Sequence, residues 1–264
     1  MSKLTITTFQ SFLYWENKAA NLSMFSDKLA QMDPRTELAI LPEMFNTGFS
    51  MNPALLAEPM EGPTVQWMHD MSKKHRVILT GSFMAAEGGQ FYNRLLWMLP
   101  NGVYGSYDKR HLFACAGEDA HFTGGHKRLI ASVKGWKVLL QVCYDLRFPV
   151  WSRQQMKSPE EAEYDLLIYV ANWPERRNHA WKTLLQARAI ENQCYVIGVN
   201  RIGMDGHQIY HSGDTMIVDP MGACLYEKAH DEDMHTLTLD KEVLLSIREK
   251  LPFLRDADQF DIHP

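Results

Sequence analysis

Two periodicities alternate along this chain, and their alternation limits what it can become. Apolar and β-branched residues fall at every second position from Lys3 to Phe9, then at helical spacing from Glu16 to Met32. Leu38 to Leu41 is a short apolar run stopped by Pro42, which predicts a buried strand ending in a loop. Thr64 to His75 reads as a helix with Pro63 in its first turn, and Arg76 to Met84 as the next strand. Phe91 to Leu99 and Val103 to Tyr107 flank Pro100-Asn101-Gly102, whose Asn-Gly pair suits a hairpin turn. Leu129 to Val133 and Trp136 to Val142 form a second hairpin around Lys134-Gly135. Tyr164 to Val170 is a strand, Ala180 to Glu191 a helix, and Cys194 to Asn200 and Ile209 to Val218 are strands again. The series predicts an α/β fold of mixed sheets packed under helices. With 264 residues and 45% hydrophobic content, one core suffices, so a single domain is expected over residues 1–264. Residues 241–264 are read as a C-terminal helix followed by an arm over a neighbour.

Charge and motif content exclude several classes of function. The formal charge is -5 and the pI about 6.1, which argues against nucleic acid as a partner. The first 17 residues alternate rather than form a leader, and no apolar run approaches the roughly 20 residues of a membrane span. Cys115, Cys143, Cys194 and Cys224 lack paired spacing, so reduced thiols and a cytoplasmic location are expected. Phosphate-binding loops, zinc-protease motifs and serine-hydrolase elbows are absent. His121 and His126 lack a third ligand at useful spacing, so neither a metal nor another cofactor is expected.

Three reactive side chains stand at strand ends. Glu43 follows the Leu38 to Leu41 run and reads either as a general base in an apolar loop or as a salt-bridged carboxylate. Lys109 follows the first hairpin and reads either as a fixed charge beside an oxyanion or as a solvated lysine in a basic run. Cys143 ends the second hairpin and reads either as a nucleophile or as a packed thiol.

Together and in this order, Leu41-Pro42-Glu43, Lys109-Arg110-His111-Leu112-Phe113 and Cys143-Tyr144-Asp145-Leu146-Arg147-Phe148-Pro149 resemble the nitrilase superfamily of carbon-nitrogen hydrolases. Ala171-Asn172-Trp173-Pro174 and Ala187-Arg188-Ala189-Ile190-Glu191-Asn192 extend the resemblance over nearly the whole chain. Asn172 to Arg177 and Asn200-Arg201-Ile202-Gly203 resemble the bacterial ω-amidase branch, which deamidates 2-oxoglutaramate and 2-oxosuccinamate.

The resemblance implies a four-layer αββα sandwich, a homodimer paired through helices, and a small amide substrate converted to acid and ammonia through a thioester on Cys143. It implies that Glu43, Lys109 and Cys143 are catalytic, and that Glu118 positions Lys109 and the substrate; Asp119 is the competing acid. Phe122 and Gly125 stand at the offsets that go with Glu118. The Tyr144 backbone N–H would join Lys109 at the oxyanion, and Trp173 would wall the pocket or belong to the core. Arg176 or Arg177 would hold a substrate carboxylate. Arg110 and Arg147 compete for that role, Arg147 also being a candidate ion-pair partner of Asp145. Other readings are an amidase of the same superfamily acting on a carbamoyl amine, deaminated glutathione or an aliphatic amide, an enzyme acting on a nitrile, and a catalytically silent binding or scaffold protein.

Overall fold

The computed structural model describes residues 3–158 and 161–263. Its first half comprises β1 (Lys3–Gln10), α1 (Lys18–Ala30), β2 (Leu38–Ile40), α2 (Pro53–Leu56), α3 (Pro63–His75), β3 (Ile78–Glu87), β4 (Gln90–Met98), β5 (Tyr104–Asp108) and α4 (Glu118–His121). There follow β6 (Leu129–Val133), β7 (Trp136–Val142), α5 (Pro149–Ser152), β8 (Met156–Ser158), β9 (Glu161–Ala162) and β10 (Leu166–Ala171). The last elements are α6 (Asn178–Asn192), β11 (Tyr195–Asn200), β12 (Ile202–Met204), β13 (Tyr210–Val218), β14 (Cys224–Ala229), β15 (Asp233–Asp240) and α7 (Lys241–Lys250).

Two mixed sheets result. One has the order β15-β1-β2-β3-β4-β5, the other β12-β13-β11-β10-β7-β6 with β14 beside β13. β1, β2 and β3 run parallel, as do β7, β10 and β11, whereas the hairpins β3-β4-β5 and β6-β7 are antiparallel. Side-chain alternation assigns each strand face to a layer. On β2, Leu38 and Ile40 join Leu95, Trp97, Val138 and Leu140 between the sheets. Ala39 and Leu41 point the other way, to Phe25 and Leu29 of α1 and to Val65 and Met68 of α3. On the far side, Trp181, Leu185 and Ala189 of α6 cover the second sheet. The layers are therefore helix, sheet, sheet, helix, the αββα sandwich that the sequence resemblance implied. β10 is buried on both faces, which is why its six residues read as an unbroken apolar run.

Element ends shift from the sequence reading for local reasons. Glu16 adopts φ 51° and Asn17 caps α1 through a 3.1 Å bond from Ala20 N–H, so the helix starts at Lys18. Arg76 is the left-handed cap of α3, so β3 starts at Ile78. The Asn-Gly turn forms as expected; Gly102 has φ 84°, and a Cβ there would lie 2.9 Å from the His69 ring. The arm after α7 packs on its own chain: Ile262 rests on the core between the sheets, and Gln155 Nε2 donates to Phe260 O at 3.0 Å. Among the described residues no helix is long and apolar enough to cross a membrane.

Candidate active site

Four strands, β2, β5, β7 and β10, end at one edge of the sandwich and deliver Glu43, Lys109, Cys143 and Asn172. Lys109 and both carboxylates beside it have no exposed surface. Lys109 Nζ donates to Glu43 Oε1 at 3.0 Å, and to Glu118 Oε1 and Oε2 at 2.9 and 2.8 Å. Asn93, inward on β4, donates through Nδ2 to Glu43 Oε1 at 2.8 Å and Glu118 Oε1 at 3.2 Å. Glu43 Oε2 accepts from Asn172 N–H at 2.8 Å, and Glu118 Oε2 from Phe113 N–H at 2.6 Å. Burial disfavours the Lys109 charge, but Glu118 and Glu43 outweigh it and raise the ammonium pKa above its ordinary value. Burial raises the Glu118 pKa, with Lys109 opposing and Glu43 adding to the rise. One cation thus holds two acids together.

Cys143 sits where β7 passes into a 3-10 turn, Cys143–Arg147, and its φ is 45°. A non-glycine residue in the left-handed region stores about 1–3 kcal/mol, which the surroundings must over-determine. The turn leaves the thiol within the electrostatic reach of Glu43, Lys109 and Glu118. Burial and then the Glu43 charge push the thiol well above its ordinary pKa, while Lys109 pulls it down. Tyr144 is the second residue of the turn, so its N–H lies at the end where a 3-10 helix has no internal acceptors.

A cavity of about 340 Å³ opens over this thiol. Lys109, Cys143, Tyr144, Trp173 and Arg176 line it, and Glu43 and Glu118 lie buried beside Lys109. Trp173 is both wall and core: it is 4% exposed, and its Nε1 donates to Arg177 O at 2.9 Å. Arg147 and Arg177 also line the cavity, Arg147 over the Trp173 ring at 4.9 Å and Arg177 over Phe113 at 5.0 Å. Among the described residues no carboxylate pairs with Arg147, Arg176 or Arg177 within 4 Å. Burial, then repulsion from Arg176, lowers the Arg177 pKa. The lining thus combines cationic groups with the aromatic rings of Phe49, Phe113, Tyr144 and Trp173.

Two of the arginine alternatives resolve differently. Arg110 turns away, over the Trp151 ring at 4.4 Å, with Nη2 donating to His263 O at 3.4 Å. Asp145 pairs with His111 at 2.8 Å, leaving Arg147 to the cavity. Sequence reasoning missed Phe49, Asn93 and the wall formed by Asp205, His207, Ile209 and His211. Asn93 carried a local signal, a polar residue on an inward position of a strand. The loop after β12 carried none. A larger cavity of about 640 Å³ beside the C-terminal arm, between Gln155 and Phe260, contains none of these groups. Among the described residues no cluster of three His, Cys, Asp or Glu is placed to hold a metal ion.

Residues 5–249 match the sequence model of the carbon-nitrogen hydrolase family. The chain belongs to that family. This carbon-nitrogen hydrolase is 42% identical to the omega-amidase YafV of Yersinia enterocolitica, over 98% of this chain and 99% of that protein. It is 29% identical to the 2-oxoglutaramate amidase of Bacillus subtilis, over 96% and 97% of the two chains. Its fold superposes with a TM-score of 0.96 on XC1258 of Xanthomonas campestris, a CN-hydrolase superfamily protein solved with an arsenic adduct in its active site. Those two chains are 40% identical and each is covered completely. Within the nitrilase superfamily, this hydrolase falls in the ω-amidase branch.

Proposed function

We propose that this hydrolase is an ω-amidase that converts 2-oxoglutaramate or 2-oxosuccinamate to the 2-oxo acid and ammonia. The observation carrying the reading is the shared cavity: a thiol within the fields of Glu43 and Lys109 at its floor, and on its wall three guanidinium groups that pair with no carboxylate among the described residues. The floor suits amide cleavage, and the wall suits a substrate whose far end is a carboxylate.

In this reading Glu43 accepts the Cys143 proton as the sulfur attacks the amide carbon. Lys109 and the Tyr144 N–H face the developing oxyanion, each contributing about 3 kcal/mol in the transition state. Glu43 returns the proton to the departing nitrogen, so ammonia leaves and an acyl thioester stays on Cys143. Water, deprotonated by Glu43, attacks the thioester; the acid departs and the thiol regains its proton. Glu118 holds Lys109, Trp173 packs against the substrate chain, and Arg147, Arg176 and Arg177 bind the carboxylate. The enzyme would act as a cytoplasmic homodimer without a cofactor.

Ammonia release from 2-oxoglutaramate, glutamine and a carbamoyl amino acid tests the substrate. The expected order places 2-oxoglutaramate first, since an α-ammonium would meet three guanidinium groups. Faster turnover of the carbamoyl compound would favour another amidase specificity.

A further inference from the structure

The acidic cluster and the cysteine turn come from different sheets, so their separation needs a fixed reference. Asp145, fully buried two residues beyond Cys143, has that place. Its Oδ2 accepts from the N–H of Val142, the residue before Cys143, at 3.0 Å, and from the Tyr107 hydroxyl at 2.7 Å. Its Oδ1 accepts from His111 N–H at 3.0 Å and lies 2.8 Å from His111 Nδ1. Tyr107 and His111 flank Lys109 by two residues on either side. The Tyr107 hydroxyl in turn accepts from Arg110 N–H at 3.2 Å and from Trp151 Nε1 at 2.9 Å. A carboxylate offers about four lone-pair sites, and here four donors fill them. None of these bonds reaches Glu43, Glu118 or the thiol.

We infer that Asp145 is a positioning residue: it latches the strained Cys143 turn to the Lys109 segment and so sets the distance between sulfur and ammonium. The inference rests on Cys143 and Lys109 being the reacting pair. A left-handed cysteine persists only under outside constraint, and the Val142 bond supplies it directly on the strained turn. His111 stacks on Phe148, ring centroids 3.8 Å apart, which ties the Lys109 segment to the residue that follows the cysteine turn. Burial and the Asp145 charge raise the Tyr107 pKa, so the phenol stays a donor across the working pH range.

Asp145→Asn keeps the shape but turns an N–H toward groups that are themselves donors. A sulfur displaced by a fraction of an ångström is expected to lower kcat for 2-oxoglutaramate about 10- to 100-fold, with KM within about threefold of wild type. The second readout is alkylation of Cys143 by iodoacetamide, itself a small amide, followed by peptide mass spectrometry. Its rate profile should move to higher pH, because the thiol loses the nearby ammonium that favours its charged form. A folded Asp145→Asn protein with wild-type kcat and an unmoved profile overturns the inference, even if its melting temperature falls. If that variant does not fold, Tyr107→Phe and His111→Gln, each removing one bond of the latch, decide by the same two readouts. The alkylation profile needs no substrate, so failure of the latch and failure of the ω-amidase reading are separable.

Discussion

Lys109 joins two carboxylates that, like it, expose no surface, and at that depth removal of one charge strands the others. Lys109→Met is expected to lower the unfolding free energy by about 3–5 kcal/mol in denaturant titrations and to abolish turnover. Glu43→Gln should separate the two effects: its carbonyl oxygen can still accept from Lys109 and Asn93, and the Asn172 Nδ2 bond to the Glu43 backbone oxygen is untouched. Only the Asn172 N–H bond is lost, so the stability falls less than in Lys109→Met, while loss of the proton acceptor removes activity. His211 gives a pH-dependent test. Burial and the Arg201 charge hold its pKa down at about 4, against an ordinary 6.5. Below pH 6.5 the unfolded chain takes a proton that the folded protein refuses. Stability is therefore full above that pH and falls toward pH 4, by on the order of 3 kcal/mol from this group. Urea titrations across that window should show the fall in the wild type and a flatter line for His211→Phe. The cavity wall is tested by Arg147→Ala or Arg177→Ala, expected to raise KM for 2-oxoglutaramate about 10- to 100-fold while leaving a neutral aliphatic amide little affected.

Strands and helices were legible because each keeps its own period; the reactive residues, ambiguous one by one at their strand ends, were singled out by the resemblance of their three motifs taken together. The 3-10 turn after β7 was not legible. At about 120° per residue, positions two apart point to different sides, so Asp145 faces inward while Arg147 faces the cavity. Asn93 and Glu118 illustrate the same limit: their meeting at Lys109 depends on the β4-β5 register and on a loop folded back across it. Gly125 holds that loop. Its N–H donates to Lys109 O at 3.0 Å, and a Cβ would stand 2.1 Å from Asp108 O. Gly125→Ala must push the Lys109 segment aside, so a melting temperature lower by about 5 °C and a larger proportional loss of activity are expected. An unchanged melting curve would show that the loop yields instead.

Across the whole molecule, the candidate site exists only while the two sheets stay packed. Glu43 and Lys109 leave one sheet, Cys143 and Asn172 the other, and Trp97, Tyr107 and Leu140 fill the layer between them. Activity and near-ultraviolet circular dichroism should therefore disappear at the same urea midpoint. The αββα layering followed from the resemblance in three separated motifs; the cavity wall from the loop between β12 and β13 did not, since no local pattern tells a loop which strand ends it will cover. The central claim is that one sulfur, placed by both sheets, performs the chemistry. Its most direct measurement is ammonia release from 2-oxoglutaramate by purified Cys143→Ala with a wild-type circular dichroism spectrum. The account expects a loss of roughly ten-thousand-fold or more; turnover within tenfold of the wild type would contradict it.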